Sequence, residues 1–166
     1  AFYSRCCDAF RKIQAAWCAQ DLSTVRPFIS DGIAERFSLQ FDEQRDMGER
    51  NQMDRTAIHR MSVAAVQSGP VFDVLSVRIV ASAVDYYVSL QSGRRLRGST
   101  KPQEFVEVWS WLRRRGVKTR TGNGLIEGNC PNCGALVELN QWSNCKHCGA
   151  VGAVALEQAI ARARLH

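Results

Sequence analysis

Residues 104–116 constrain the fold most, because this stretch is apolar on two opposite sides. An extended chain places three aromatic side chains on one side and three aliphatic ones on the other: Phe105, Trp109 and Trp111, against Val106, Val108 and Leu112. Its β-branched and aromatic content favours a strand. A strand with apolar side chains on both faces is typical of a sheet interior that is covered on both sides. The stretch therefore predicts a central strand.

The positive charge of the chain is concentrated around this strand. Nine of the 22 basic residues but only two of the 16 acidic residues lie in residues 94–120. This segment therefore carries a formal charge of +7, and the rest of the chain carries −1, which gives the total of +6. A local excess of this kind attracts phosphates, anionic lipid headgroups or an acidic protein. We therefore predict an anion or membrane contact surface formed by these residues: Arg94, Arg95, Arg97, Lys101, Arg113, Arg114, Arg115, Lys118 and Arg120.

Helical periodicity dominates the N-terminal part. Residues 2–20 repeat apolar side chains along one stripe, at Cys6, Phe10, Ile13 and Trp17. Asp21 can cap a short second helix that Pro27 should terminate.

A third helix is predicted to start at Ser30 or Asp31, to repeat Ile33, Phe37 and Phe41, and to end near Gly48. Residues 42–55 are dense in charge, and they predict the end of this helix and a solvated loop.

Strands are expected from residue 56 onward. Residues 56–67 predict one strand, residues 68–70 its turn, and residues 71–90 a longer strand. The alternation of apolar residues changes parity within residues 71–90, which predicts a β-bulge or bend there. Residues 91–102 predict a basic loop before the central strand.

Helices followed by a bent antiparallel sheet make an α+β domain, with the helices packed on a curved sheet that encloses a pocket. The expected organisation is this domain over residues 1–121, a glycine-containing linker over residues 122–128, and a small module over residues 129–166. Residues 154–165 predict a short C-terminal helix.

The small module contains the most specific motif of the chain, two Cys-x-x-Cys-Gly knuckles. They supply Cys130 and Cys133, then Cys145 and Cys148, with the ten residues 135–144 between the knuckles. Each knuckle places two thiolates on one turn, and two knuckles complete a tetrahedral four-sulfur shell. Disulfides or a redox pair are the alternatives, but the chain is not disulfide-rich. We predict one structural zinc ion per chain, with His147 as a non-ligand.

The other three cysteines, Cys6, Cys7 and Cys18, lie on the first helix without a histidine at ligand spacing. A free cysteine behaves as a small hydrophobic residue, so they are predicted to be structural thiols. Reduced thiols together with a zinc site favour the cytoplasm or the cytoplasmic face of a membrane.

A series of short motifs resembles a known family. Ile13-Gln14-Ala15-Ala16-Trp17, Val25-Arg26-Pro27-Phe28, Ser30-Asp31-Gly32, Val84-Asp85-Tyr86 and Trp109-Ser110-Trp111-Leu112-Arg113 occur in the order typical of the domain shared by mitochondrial inner membrane translocase subunit 44 and its bacterial relatives. The resemblance covers about residues 2–120. It implies the cone-shaped fold of nuclear transport factor 2, and an association with membranes and partner proteins in protein transport instead of catalysis. Bacterial members sometimes carry a C-terminal module that begins as residues 130–135 do here.

These observations together favour a non-enzymatic membrane-peripheral or scaffold protein. It would bind an anionic membrane or a protein partner through the pocket and the basic rim, and the pocket could hold a lipid or small apolar ligand. An enzyme is the alternative, and its candidate residues would be His59, Asp73, Asp85, Tyr86 and Tyr87, although no spacing forces any two of them together. A nucleic-acid-binding module ranks third, because the knuckle region lacks interleaved basic and aromatic residues.

Overall fold

The computed structural model describes residues 2–115, 124, 126, 128–130, 133–138, 145–149 and 156–163, with backbone alone for Arg114 and residues 156–163. Helix α1 spans Phe2–Ala19 and helix α2 spans Asp31–Asp46. The strands are β1 (Glu49–Ser68), β2 (Phe72–Ser89), β3 (Arg95–Gly98), β4 (Gln103–Arg114) and β5 (Leu156–Ala163). They form one antiparallel sheet in the order β1-β2-β4-β5, and β3 pairs with residues 86–88 of β2 on the same edge that β4 occupies along residues 72–83. The predicted α+β class, helices on a curved antiparallel sheet, is confirmed.

Helix α1 packs against both the sheet and α2, because its apolar stripe is wide enough to contact both. The Phe10 ring lies 5.3 Å from that of Trp109 on β4, whereas Trp17 lies 5.1 Å from Phe37 and 5.3 Å from Phe41 on α2. All these side chains are buried in one core. The aromatic face predicted for the central strand is therefore the face of β4 that packs against the helices. As expected, β4 has a neighbouring strand on each side.

Several predicted boundaries are wrong, and each has a local cause. Pro27 does not end a helix; it lies inside a single 3₁₀ turn, Arg26–Phe28, after Asp21 accepts a hydrogen bond from the Ser23 backbone. Helix α2 starts at the Ser30 cap, and residues 42–55 continue it and then begin β1 instead of forming a loop. The cause is burial of polar groups in this segment, since Gln44, Glu49 and Asn51 are inside the protein.

The bend of the sheet arises in β1. The β2–β4 register runs without interruption from Phe72↔Arg114 to Ala83↔Gln103. The β1–β2 register shifts three times, between residues 54 and 57, 58 and 60, and 63 and 65. The bulge that we predicted inside residues 71–90 therefore lies mainly on β1, the strand paired with them. The extra residues of β1 increase the local twist.

Two further segments form strands that the sequence did not indicate. The predicted basic loop contains β3, which approaches β2 so closely that a Cβ on Gly98 would lie 2.4 Å from the Cα of Tyr86, at a φ of +114°. The predicted C-terminal helix is instead β5, paired with β4 from Val106↔Ala163 to Trp111↔Leu156. The free edge of β4 explains this, because its backbone groups need hydrogen-bond partners and β5 supplies them.

A hydrogen-bond network centred on Asn51 joins both helices to the sheet. Its side-chain oxygen accepts a bond from the Trp17 indole at 2.7 Å, and its amide donates to Asp85 at 2.6 Å and to the Tyr86 carbonyl at 3.3 Å. Its backbone N–H donates to the Gln44 side chain at 2.9 Å. A buried polar side chain is stabilising only when it is satisfied in this way.

We expect Trp109→Ala to lower the free energy of unfolding by about 3–5 kcal/mol, the range for truncating a fully buried aromatic side chain. Trp109 is 0% exposed. Denaturant unfolding measures the change, and the cysteine module should keep its metal. Leu39→Ala on the exposed surface of α2 is the control, with an expected change near zero; an unchanged midpoint for Trp109→Ala would contradict its assignment to the core.

Asn51→Leu should lower the free energy of unfolding by at least about 1–3 kcal/mol, because the variant removes the Asn51 side-chain bonds and leaves buried polar groups with fewer partners. Thermal and denaturant melts measure the loss. Gln67→Leu, at an exposed position on the same strand, is the matched control. Equal stability of the two variants would show that the network contributes nothing to the fold.

Candidate functional site

The four knuckle cysteines converge on one point. Their sulfur atoms all lie within 4.8 Å of one another, with Cys130 and Cys148 3.8 Å apart and Cys133 and Cys145 4.0 Å apart. Four sulfurs at about 2.3 Å from a tetrahedral metal ion are roughly 3.8 Å apart. These four side chains can therefore hold a metal ion, which supports the predicted ribbon.

Equivalent turns build the two halves of this cluster. The Gly134 N–H donates to the Cys130 carbonyl and the Gly149 N–H donates to the Cys145 carbonyl, each at 2.8 Å. Gly134 has a φ of +78° and Gly149 a φ of +68°, in the left-handed region that glycine adopts without strain. Glycine after each second knuckle cysteine is thus required by the turn that aims the sulfurs inward.

The electrostatics of the cluster also favour a cation. A backbone hydrogen bond at Ala135 lowers the pKa of Cys133, but desolvation and the thiols of Cys148, Cys130 and Cys145 raise it, to about 11 in the absence of metal. Four thiolates cannot accumulate at one point unless a positive charge offsets their repulsion. A bound divalent ion supplies that charge and would hold the cysteines as thiolates. His147 is exposed and is not part of the cluster.

The cluster is attached to the larger domain. Ile126 is buried in the main core, and its carbonyl accepts a hydrogen bond from Lys12 of α1. Val137, between the knuckles, packs against the same core. Cys130 and Cys145 are buried while Cys133 and Cys148 are exposed. One sulfur of each knuckle thus faces the protein and the other faces solvent.

The three cysteines of α1 lie apart from this cluster. Cys6 is fully buried, and burial raises the pKa of its thiol to about 12. Cys18 is half-buried, and burial raises the pKa of its thiol although its sulfur accepts a hydrogen bond from the Met53 backbone. Thiols held protonated in this way are unreactive, in agreement with the structural role predicted for them.

The basic residues of segment 94–120 are divided in space. One group lies on and near β3, where Arg97 stacks on Tyr87 at 3.7 Å and binds Glu49 through two hydrogen bonds. Arg95 stacks on Tyr86 at 3.9 Å. Arg94 and Lys101 are exposed nearby in the chain.

The second group lies at the opposite end of β2. Arg113 is opposite Asp73 and forms an ion pair with it at 3.3 Å, Arg114 is opposite Phe72, and the Arg115 N–H donates to the Val71 carbonyl. Between Asp73 and Tyr87 the path along β2 is roughly 45 Å at about 3.3 Å per residue. Lys118 and Arg120 lie outside the described residues. The structure therefore brings the predicted contact residues into two groups.

Two cavities lie near the β3 group, on either side of Tyr87 and Arg97. The first, about 240 Å³, lies between the helices and the sheet and is lined by apolar residues such as Trp17 and by Glu49 and Glu107. The second, about 370 Å³, is lined by Asp85, Ser99 and Glu104 among others. Carboxylates line both cavities, buried ones in the first and the partly exposed Asp85 and exposed Glu104 in the second, so that neither lining is that of an acyl-chain pocket.

Buried Glu49 and Glu107 were not recognised from the sequence. Glu107 is fully buried and accepts a hydrogen bond from the Trp109 indole at 2.9 Å. Its place between Val106 and Val108, on the same strand face as Trp109, is a sequence signal for burial because the aromatic face of β4 covers the core. Glu49 has no such signal, since its partner Arg97 is distant in sequence.

The acid and base candidates do not form one constellation. His59 is exposed on β1 and contacts Ser82, Asp73 pairs with Arg113, and Tyr86 donates to Asp54. Asp85 belongs to the Asn51 network, and Tyr87 contacts Arg97 at the cavities. Each candidate is engaged with a different partner.

Among the described residues, no helix is both long and apolar enough to cross a membrane.

Comparison with known proteins gives one family. The family described as the Tim44-like domain matches residues 1–125, which include both helices and strands β1 to β4. The curated proteins contain no match to this chain. Because the match covers most of the chain, this protein belongs to the Tim44-like domain family, which suggests a membrane-associated interaction or scaffold role.

Proposed function

We propose that this protein is a peripheral scaffold that is held at an anionic membrane by basic side chains and that presents a zinc-stabilised ribbon to a partner protein. The family supports the general role. The observation that carries the finer proposal is the cluster of three consecutive arginines at the end of β4, of which Arg113 and Arg115 have exposed side chains.

The end of β4 suits this contact better than β3 does. On β3, Arg97 is committed to Glu49 and Tyr87, and Arg95 to Tyr86. At the end of β4, Asp73 is the acid in register with the arginine triplet. The local charge there stays positive, and basic residues near an anionic membrane contribute on the order of 1 kcal/mol each.

The cavities favour neither the lipid-pocket nor the enzyme alternative. A lipid tail requires an apolar lining, whereas Glu49, Glu107 and Glu104 line the two cavities. An enzyme requires a nucleophile or base with an orienting partner aimed at a common point, and the described candidates are bonded to separate partners. Surface contact is therefore the mode that we propose.

Zinc is the metal that the ribbon chemistry favours. Four thiolates in tetrahedral arrangement form a closed shell that zinc prefers, with no open position for substrate. The module is too small to bury a core of its own, so its folding would depend on the metal. We propose one structural zinc ion per chain.

The protein purified without chelator should contain one zinc ion per chain by elemental analysis. Cys145→Ser should lose most of it and unfold the ribbon, because three thiolates leave an incomplete shell. Cys7→Ser, on α1, is the matched control and should keep full occupancy. A Cys145→Ser protein with unchanged metal content and melting curve would contradict the proposal.

Changing Arg113, Arg114 and Arg115 together to Glu should weaken binding to phosphatidylglycerol vesicles by about 100-fold or more, since roughly 3 kcal/mol of attraction is lost. Vesicle co-sedimentation measures it, and binding by the unmodified protein should fall as salt rises, since the Debye length is about 8 Å at physiological ionic strength. Fold and zinc content should not change.

The matched control makes the same change of charge elsewhere. Arg11, Arg36 and Arg45 are exposed on the helices, and their change to Glu should weaken binding far less than the triplet. Equal losses would mean that net charge alone acts. If the unmodified protein ignores anionic vesicles at low salt but binds duplex or single-stranded nucleic acid in a salt-dependent way, the nucleic-acid alternative replaces the membrane proposal.

A further inference from the structure

The tip of the β1–β2 hairpin, residues 63–72, exposes a group of apolar side chains. Val63 is 47% exposed, Val66 65%, Val71 54% and Phe72 39%. No charged residue or histidine occurs from Met61 to Phe72. Single exposed valines are ordinary, but four large apolar side chains around one turn are typical of an interaction site.

The hairpin is closed tightly at this tip. The Gly69 N–H donates to the Phe72 carbonyl at 2.8 Å, and Pro70 and Val71 lie between them. Strand β1 is an outer strand of the sheet, and residues 63–68 are exposed throughout. The tip can therefore move from water into the interfacial region of a lipid bilayer without unfolding. Its outer backbone groups still need water or headgroups as partners, so it can reach the headgroup–acyl boundary but not the hydrocarbon centre.

Positive charge flanks this uncharged tip. On the β1 side the charged residue nearest to the tip is Arg60, which is exposed. On the β2 side it is Asp73, which pairs with Arg113. Arg114 lies opposite Phe72, and Arg115 is bonded to the Val71 backbone. The acid of β5, Glu157, lies opposite Ser110, farther from the tip.

We propose that this hairpin tip is the element that enters an anionic lipid surface, with the exposed valines and Phe72 at the headgroup–acyl boundary and Arg60 and the β4 arginine triplet on the headgroups. The inference rests on the proposed membrane role and deepens it by naming the inserted element and the orientation of the domain.

The charge around the tip is what selects a lipid surface over a second copy of the chain. A two-fold contact between two tips would bring the same surface of each copy together. It would therefore place the arginines of one copy beside those of the other, which is unfavourable. An anionic lipid surface complements both the apolar tip and its basic flanks.

Insertion can be measured with a tryptophan at the tip. Phe72→Trp should shift its added emission to shorter wavelength and be quenched by brominated acyl chains in mixed phosphatidylglycerol and phosphatidylcholine vesicles. Leu96→Trp is the matched control, because Leu96 is 54% exposed on β3 at the other end of β2; it should be quenched no more than the unmodified protein. Quenching at Leu96 but not at Phe72 would overturn the proposal.

A second measurement separates insertion from charge attraction. Val66, Val71 and Phe72 changed together to Ser should keep vesicle binding at low salt but lose about tenfold or more of the binding that remains at high salt, since apolar contact is not screened. Leu39, Met47 and Leu96 changed together to Ser remove three exposed apolar side chains elsewhere and should have little effect. Circular dichroism and zinc content verify the fold of each variant.

The outcomes separate this inference from the proposed function. If the unmodified protein does not bind anionic vesicles, both fail. If it binds, but the serine triple variant binds equally at every salt concentration and Phe72→Trp is not quenched, this inference alone fails. It also fails if sedimentation without vesicles shows a dimer that the serine variant abolishes, because the tip would then join two copies.

Discussion

The position of both helices on the sheet depends on one buried residue, Asn51 of β1. Its side chain bonds to Trp17 of α1 and to Asp85 and Tyr86 of β2, and its backbone N–H donates to Gln44 of α2, so four elements meet at one residue. Apolar packing alone would let α1 slide along the aromatic face of β4, since dispersion contacts have little direction. Hydrogen bonds with fixed donors and acceptors determine one register, and they also fix the wall of the cavity that lies beneath the helices.

The two ends of β2 have different chemistry as a result. At the Tyr86–Tyr87 end, Arg97 pairs with Glu49 and stacks on Tyr87, and Arg95 stacks on Tyr86, so that short-range contacts engage these two arginines. At the Phe72 end the arginines of β4 flank an uncharged hairpin turn. Some of the positive charge of segment 94–120 is therefore engaged in contacts within the fold, and the rest is left available for an anionic partner.

The sequence indicated α1, α2 and β4 well, because burial imposes a period of 3.6 or 2 on apolar residues that can be counted directly. The cluster of four cysteines was equally readable, since knuckle geometry requires short spacings and glycine. The start of β1 was missed because Asn51 and its partners are far apart in sequence, so that its burial leaves no local pattern. Strand β5 was mistaken for a helix because its conformation is determined by the open edge of β4. The division of the basic residues was equally invisible, because it depends on β3 and the end of β4 lying far apart along β2.

Strand β5 has a consequence for the ribbon. Since the chain leaves the sheet at the end of β4, contributes the four cysteines, and returns to pair with β4 again, the ribbon is an insertion between two neighbouring strands instead of an appendage. Returning a long segment to the sheet costs conformational entropy that grows with the length of the segment. A metal ion that ties Cys130 to Cys148 would shorten the free path to β5. Metal binding at the four cysteines would then be thermodynamically linked to completion of the sheet, so that a bound ion would stabilise the pairing of β5 with β4.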